Sequence, residues 1–214
     1  MTRIACLVPV GADYMPYKTV ASMLAMRIPP NVEMGWIFSK YSPVDRNRNL
    51  LVDGAIESKA DIVMCLDSDQ VFPVDTIVKL YDWIKKGKKI VGGLYFQKNP
   101  PFLPLVYHLG KDGHKGNNIL DYPDKIFKVD VLATGCLMVD VEVFKKIGYP
   151  FFKKENVWDS RGELPHTGDD WSFCLKAKKH GYQVWCDPTI KCGHLMTVET
   201  GEDNFQSLLK NNLI

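Results

Sequence analysis

Three short groups in the 214-residue sequence combine residue types that do chemistry: Asp67-Ser68-Asp69, Gly168-Asp169-Asp170 and Gly193-His194. The first follows the apolar run Ile62-Val63-Met64-Cys65-Leu66. Two carboxylates at a strand end repel each other and attract a divalent cation. Oxygen ligands suit Mg²⁺ or Mn²⁺, which are commonly held by one or two carboxylates together with substrate phosphates. The plain alternative is a strand-end turn and helix cap ahead of Pro73. The second group heads a helical pattern, where one acid is a natural N-cap. Two adjacent acids exceed what a cap requires, which leaves one as a general base toward a hydroxyl. A lone His194 is more often structural, and it gains meaning only beside the other two groups.

The elements that would position these groups are read from hydrophobic periodicity. Arg3 to Val10 reads as a buried first strand, Tyr17 to Ile28 as a helix with Val20, Met23 and Leu24 at helical spacing, and Val32 to Ser39 as a second strand. Arg48 to Ser58 reads as a helix and Asp61 to Leu66 as the short continuous apolar run of a parallel strand. Pro73 opens another helix with Val74, Ile77, Val78, Tyr81 and Ile84 inward, followed by a strand from Lys89 to Tyr95. The alternation predicts an α/β fold, a single domain with a mostly parallel central sheet. In such a sheet ligands bind beyond the carboxyl ends of the strands, where Asp67 and Asp69 stand.

Regularity breaks after Tyr95. Residues 97–128 are rich in Pro, Gly, His and Asn and read as a long functional loop, with Gly110, Gly113 and Gly116 as pivots of a cover over a ligand. A strand from Ala133 to Asp140, a helix from Val141 to Ile147, a polar loop from Trp158 to Gly168, a helix from Asp170 to His180 and a short strand from Gln183 to Cys186 complete the pattern. Asp187-Pro188 reads as a turn.

Composition excludes several classes. Apolar residues form 46% and charged residues 24% of the chain, as in an ordinary globular protein. The net charge of +2 and the confinement of Lys85, Lys86, Lys88 and Lys89 to a helix end argue against a nucleic-acid partner. The six cysteines are scattered through apolar runs, as buried thiols in a reducing compartment are. No stretch reads as a signal peptide or transmembrane segment, so the expectation is a soluble cytoplasmic protein, with one domain excised from a longer polypeptide as an open reading.

The order of the motifs carries a resemblance. A β-α-β start, Asp67-Ser68-Asp69 after a strand, Thr134-Gly135-Cys136-Leu137-Met138, Gly168-Asp169-Asp170-Trp171-Ser172-Phe173-Cys174, and Trp185-Cys186-Asp187-Pro188 ahead of Gly193-His194 together resemble the GT-A superfamily of nucleotide-sugar glycosyltransferases. The likeness runs from Ile4 to His194 and is nearest to short viral and microbial members of the large inverting family, chlorella virus domains among them. It implies a GT-A-like (Rossmann-like) fold and transfer of a sugar from a UDP-sugar donor to a glycan or glycoprotein acceptor.

By this resemblance Pro9, Val10 and Gly11 cradle the nucleotide base and ribose, and Arg48-Asn49 matches an Arg-Asn pair near the nucleotide. Asp67, Ser68 and Asp69 match the Asp-x-Asp that holds ribose and metal. Gly92-Gly93-Leu94-Tyr95 and Thr134-Gly135 match strands lining the donor sugar. Asp169 and Asp170 match an acidic pair whose second member is the base, and His194 matches a third metal ligand beside Asp67 and Asp69. The implied cofactor is Mn²⁺ or Mg²⁺.

Two rival readings remain open. Asp67-Ser68-Asp69-Gln70-Val71 also fits the nucleophile motif of haloacid-dehalogenase-type phosphatases, although that motif normally lies on an early strand. A non-catalytic nucleotide-sugar or carbohydrate-binding domain would need no base, and retention of all three acidic or ligand groups weighs against it.

Overall fold

The computed structural model describes residues 1–40, 43–110, 116–156 and 166–197, together with Gly201, Glu202, Gln206 and Lys210. In chain order its elements are β1 (Thr2–Pro9), α1 (Tyr17–Ala25), β2 (Val32–Ser39), α2 (Val44–Glu57), β3 (Ile62–Leu66), β4 (Gln70–Val71), α3 (Thr76–Lys85), β5 (Ile90–Leu94), β6 (Val106–Leu109), β7 (Gly116–Asn118), β8 (Phe127–Val129), β9 (Val131–Leu132), β10 (Cys136–Asp140), α4 (Val141–Ile147), β11 (Glu155–Asn156), β12 (His166–Thr167), α5 (Asp169–Lys179), β13 (Val184–Lys191) and β14 (Gly193–His194).

Apolar strands with no polar face must be covered on both sides, and this requirement sets the layering. Along β1, Ala5 and Leu7 enter a core shared with Leu51, Val52 and Ala55 of α2, Phe144 of α4 and Phe173 of α5. Ile4, Cys6 and Val8 enter a second core with Met23 of α1 and Ile77 and Leu80 of α3. β3 divides in the same alternating way. The result is an α/β/α sandwich.

The central sheet has seven strands in the order β2-β1-β3-β10-β5-β13-β8. β2, β1, β3, β5 and β13 run one way, while β10 and β8 run the other. The sheet is therefore mixed and mostly parallel. Because β10 is antiparallel to β3, with Cys136 opposite Leu66, the residues just before β10 lie beside those just after β3. Thr134 and Gly135 thereby reach the Asp67 end of the sheet from a distant part of the sequence.

Several elements differ from the sequence reading. α2 begins at Val44, and α1 ends at Ala25, where Met26 turns extended. Val74 is exposed ahead of α3, while Leu80 takes an inward position. Residues 97–128 are not one long loop: β6 pairs with β7 and β9 in a small three-stranded sheet, and β8 joins the main sheet. Residues 111–115, with Gly113, and most of the polar stretch from Trp158 to Gly168 lie outside the described residues. β13 continues through Asp187-Pro188 with a register irregularity before Lys191. Asp187 holds that stretch in place by accepting from Trp83 Nε1 at 2.8 Å and from the Thr189 amide at 3.0 Å.

Asn49 is the polar rivet of the first core. Its side-chain amide donates to the carbonyls of Asp45 and Phe152 at 2.8 and 2.7 Å, and its oxygen accepts from the Phe151 and Phe152 amides at 2.8 and 3.1 Å. Phe152 stacks on Phe173, with ring centroids 5.0 Å apart, so the rivet fixes an aromatic cluster as well as backbone. Asn49→Ala leaves several buried groups unpaired and is expected to lower unfolding free energy by about 2–4 kcal/mol in urea denaturation. A loss under about 0.5 kcal/mol would show that the backbone re-pairs without it.

Candidate functional site

The site forms at the carboxyl ends of β3 and β5, and its organising side chain is Arg48. Arg48 stands on α2 with its guanidinium carbon 5.9 Å from the centre of the Phe152 ring. Its Nη2 donates to Asp67 Oδ1 at 2.8 Å, and its Nε lies 3.0 Å from Asp169 Oδ2. The second contact is a charge pairing without hydrogen-bond alignment, because Arg48 Nε and Asp169 Oδ2 are both buried with no hydrogen-bond partner. One cation thus joins the acids after β3 to those at the start of α5. Burial raises the pKa of Asp67, Arg48 opposes that rise, and the nearby carboxylates of Asp69 and Asp169 reinforce it.

Asp69 has different surroundings. Burial raises its pKa, but His194 and Lys98 outweigh that effect and hold it at about 2. Lys98 forms an ion pair with Asp69 Oδ2, and His194 Nε2 lies 3.5 Å from Oδ1. His194 Nδ1 is 2.8 Å from the Phe96 carbonyl and must donate to it, which points the other ring nitrogen at Asp69. Backbone pairing fixes the approach: His194 lies opposite Gln70, and the Leu195 amide donates to the Asp69 carbonyl at 2.8 Å. A cleft of about 220 Å³ beside them is lined by Phe96, Lys98, Phe102, Cys192, His194 and Met196, among others.

These contacts test the expected metal trio. Asp69 and an oriented His194 nitrogen are donors that fit a divalent cation, with its other positions left to diphosphate oxygens and water. Each of the two acids after β3 also meets a cation, Asp67 Oδ1 that of Arg48 and Asp69 Oδ2 that of Lys98. Among the described residues no three His, Cys, Asp or Glu side chains are grouped to hold a metal ion.

The second acidic group is also arranged differently from expectation. Gly168 occupies the N-cap of α5 and makes no side-chain cap, so the first-turn amides of the helix are left to other partners. Asp169 faces Arg48. Asp170 Oδ1 accepts from the Trp171 amide at 2.8 Å, and burial, then the neighbouring Asp169, push its pKa up to about 6. Arg48 and Asp67 both act electrostatically on Asp170, which sets it in the same cluster.

Gly135 is packed against that cluster. A Cβ there would lie 2.3 Å from Gln70 Nε2, 2.4 Å from Asp67 Oδ2 and 2.7 Å from Tyr95 Oη, so a side chain would displace these groups. Its amide donates to Tyr95 Oη at 2.8 Å, and its carbonyl accepts from the Asp67 amide at 2.9 Å. Thr134 is buried beside it, and Ser68 is half-buried in the turn after β3. Pro9 lines a small crevice with Arg48, the Val10 amide donates to Ser39 at 2.9 Å, and Gly11 has open space around it. Gly93 has an interior reason to be glycine, since a Cβ would stand 2.8 Å from Ile190 Cγ2. Asn49 belongs with the core: its side-chain hydrogen bonds all go to backbone, leaving nothing for a nucleotide.

Lys98 was not singled out from sequence, Tyr95 entered only as the end of a strand lining the donor sugar, and Gln70 only as part of the phosphatase-type motif. Lys98 sits in a segment read as loop. Gln70 is fully buried and both its amide atoms lack hydrogen-bond partners. Only its adjacency to Asp69 in sequence could have flagged it.

No family model matches the chain, and no curated protein matches it in sequence. Solved structures do match in fold. A197 from STIV aligns with a TM-score of 0.62 at 18% identity, covering 92% of this chain and 87% of that one. GalNAc-T7 with UDP, GalNAc and Mn²⁺ aligns with a TM-score of 0.60 at 12% identity, covering 92% of this chain and 44% of that one. This chain thus matches less than half the length of GalNAc-T7. The fold is GT-A-like.

The raised pKa of Asp170 has a consequence for stability. The folded state binds this proton more tightly than the unfolded chain, so the contribution is fully present below about pH 4 and is lost as pH rises through about 6. Asp170→Asn is therefore expected to stabilise the protein at pH 8 by on the order of 1–3 kcal/mol, and to give little gain at pH 4. Equal effects at the two pH values in thermal melts would show that Asp170 is not a buried, proton-hungry carboxyl.

Proposed function

We propose that the chain transfers a sugar from a nucleoside diphosphate donor, UDP-linked, to a hydroxyl of a glycan or glycoprotein acceptor, with inversion at the anomeric carbon. The observation that carries this reading is the electrostatic joining of Asp67 to Asp169 through Arg48, which sets Asp170 within the field of the same end of the sheet as Asp69 and His194. The GT-A-like fold supports it.

In this reading Asp170 takes the proton of the acceptor hydroxyl as its oxygen attacks the anomeric carbon from the face opposite the diphosphate. The bond from that carbon to the diphosphate oxygen breaks, and its electron pair leaves with the nucleotide. A carboxylate with a pKa of about 6 is ionised at neutral pH, yet is a stronger proton acceptor than an exposed aspartate. Asp69 and His194 would hold Mn²⁺ or Mg²⁺, which offsets negative charge on the diphosphate and the departing nucleotide. Arg48 holds Asp67 in place, Tyr95 fixes Gly135, and Pro9, Val10 and Gly11 border the nucleotide. The phosphatase alternative needs Asp67 as a free nucleophile, and Arg48 binds its carboxylate.

The test is turnover of a panel of UDP-sugars with manganese. Asp170→Asn should lower transfer by about 10²–10⁴-fold with donor affinity nearly unchanged. Wild-type rate should fall as pH drops through about 6. Unchanged turnover in Asp170→Asn would remove it as the base, and an NMR-determined product of retained configuration would overturn inversion. Calorimetry gives a separate reading: His194→Ala should weaken manganese-dependent UDP binding, and undiminished binding would exclude His194 as a ligand.

A further inference from the structure

α1 meets the core along one narrow edge, burying only Thr19 and Met23 within its length. A flank beside that edge is apolar and open. Tyr17 is 76% exposed and Leu24 78%, and Val20 and Ile28 are exposed between and beyond them. Tyr17, Val20 and Leu24 recur at the spacing that places side chains on one helical face, and Ile28 follows beyond the helix end. Exposed Tyr14 precedes the helix, and exposed Val74 is brought alongside by the hydrogen bond of the Arg27 amide to its carbonyl, 2.8 Å long. A contiguous open apolar face is an interaction surface.

The charges around this face identify what it fits. Residues 14–30 contain Lys18 and Arg27 and no acid. Among charged groups on neighbouring elements, Lys40 pairs with Asp13 ahead of the helix, and Lys79 pairs with Asp75, which also feels Arg27. Cations thus outnumber acids four to two around an apolar stripe. A second copy of the chain would bring the same excess positive charge and no acid to meet Lys18. We propose that this face docks on an anionic lipid surface. Tyr14, Tyr17, Leu24 and Ile28 enter the headgroup boundary, while Lys18 and Arg27 reach lipid phosphates and carboxylates. Among the described residues no helix is long and apolar enough to cross a membrane, so this contact lies in the plane of the surface. The proposal rests on exposed side chains and is independent of the sugar-transfer reading.

The test is cosedimentation of the full chain with phosphatidylcholine vesicles, with and without phosphatidylserine. Binding is expected only with the anionic lipid and should weaken as salt is raised. Leu24→Glu should reduce vesicle affinity at least about tenfold, and Lys18→Glu should reduce it several-fold. Leu24 is so exposed that the melting temperature of Leu24→Glu should stay at the wild-type value, which separates lost docking from lost folding. Absence of binding to anionic vesicles overturns the proposal. So does equal binding to phosphatidylcholine alone, or by Leu24→Glu. Concentration-dependent self-association in sedimentation velocity that Leu24→Glu abolishes would assign the face to a second copy instead.

Discussion

The arrangement of the acidic residues depends on one buried guanidinium. Asp67 follows β3 and Asp169 begins α5, and without a cation between them they would be two carboxylates facing each other in a poorly solvated crevice. Arg48 resolves that conflict, and its planar fork reaches both where the single point charge of a lysine would not. Its setting is built from apolar parts: the Phe152 ring lies beneath it, Phe152 stacks on Phe173, and Asn49, the next residue on α2, ties down the Phe152 backbone. A buried ion pair of this kind is weak evidence for stability, but breaking it by removing one partner is costly. The core therefore enforces a charge geometry that it would not choose for packing alone.

From that geometry follows a division among the acids. Asp69, contacted by Lys98 and His194, keeps its charge down to about pH 2, whereas Asp170, half-buried beside Asp169, gains its proton near pH 6. One is suited to hold a cation at any physiological pH and the other to accept a proton. Carboxylates whose environments pull them apart in this way are the usual mark of separate acid–base and binding roles. Asp67 has a third part, as the partner of Arg48.

The layers and most of the acidic cluster were legible in sequence, because continuous apolar runs such as Ile62–Leu66 and helical stripes such as that of α2 report burial directly. The acids after β3 and at the head of α5 are found in the same crevice because the sheet's direction decides where strand ends gather. What was not legible depended on long-range pairing. Nothing in the run from Cys136 to Asp140 tells that it runs antiparallel, so the contact of Gly135 with Asp67 could not be read. The four side-chain hydrogen bonds of Asn49 to backbone could not be read either, since a motif records residue types but not the direction of a side chain. Asp187-Pro188 has the composition of a turn, yet Trp83 and Thr189 hold it within a strand.

The position of β10 also bears on the order in which this protein assembles. β3 and β5 are both made before β10, yet neither pairs with the other: β10 lies between them and touches each. A chain emerging from the ribosome therefore carries open strand edges on β3 and β5 until residue 140 has been released, and such edges invite pairing with other chains. The wall formed by Gly135, Tyr95 and Asp67 closes at the same moment. The acidic cluster is completed later still, because Asp169, Asp170 and His194 follow β10 in the chain, so the exposed edges close before the charges around Arg48 are all in place.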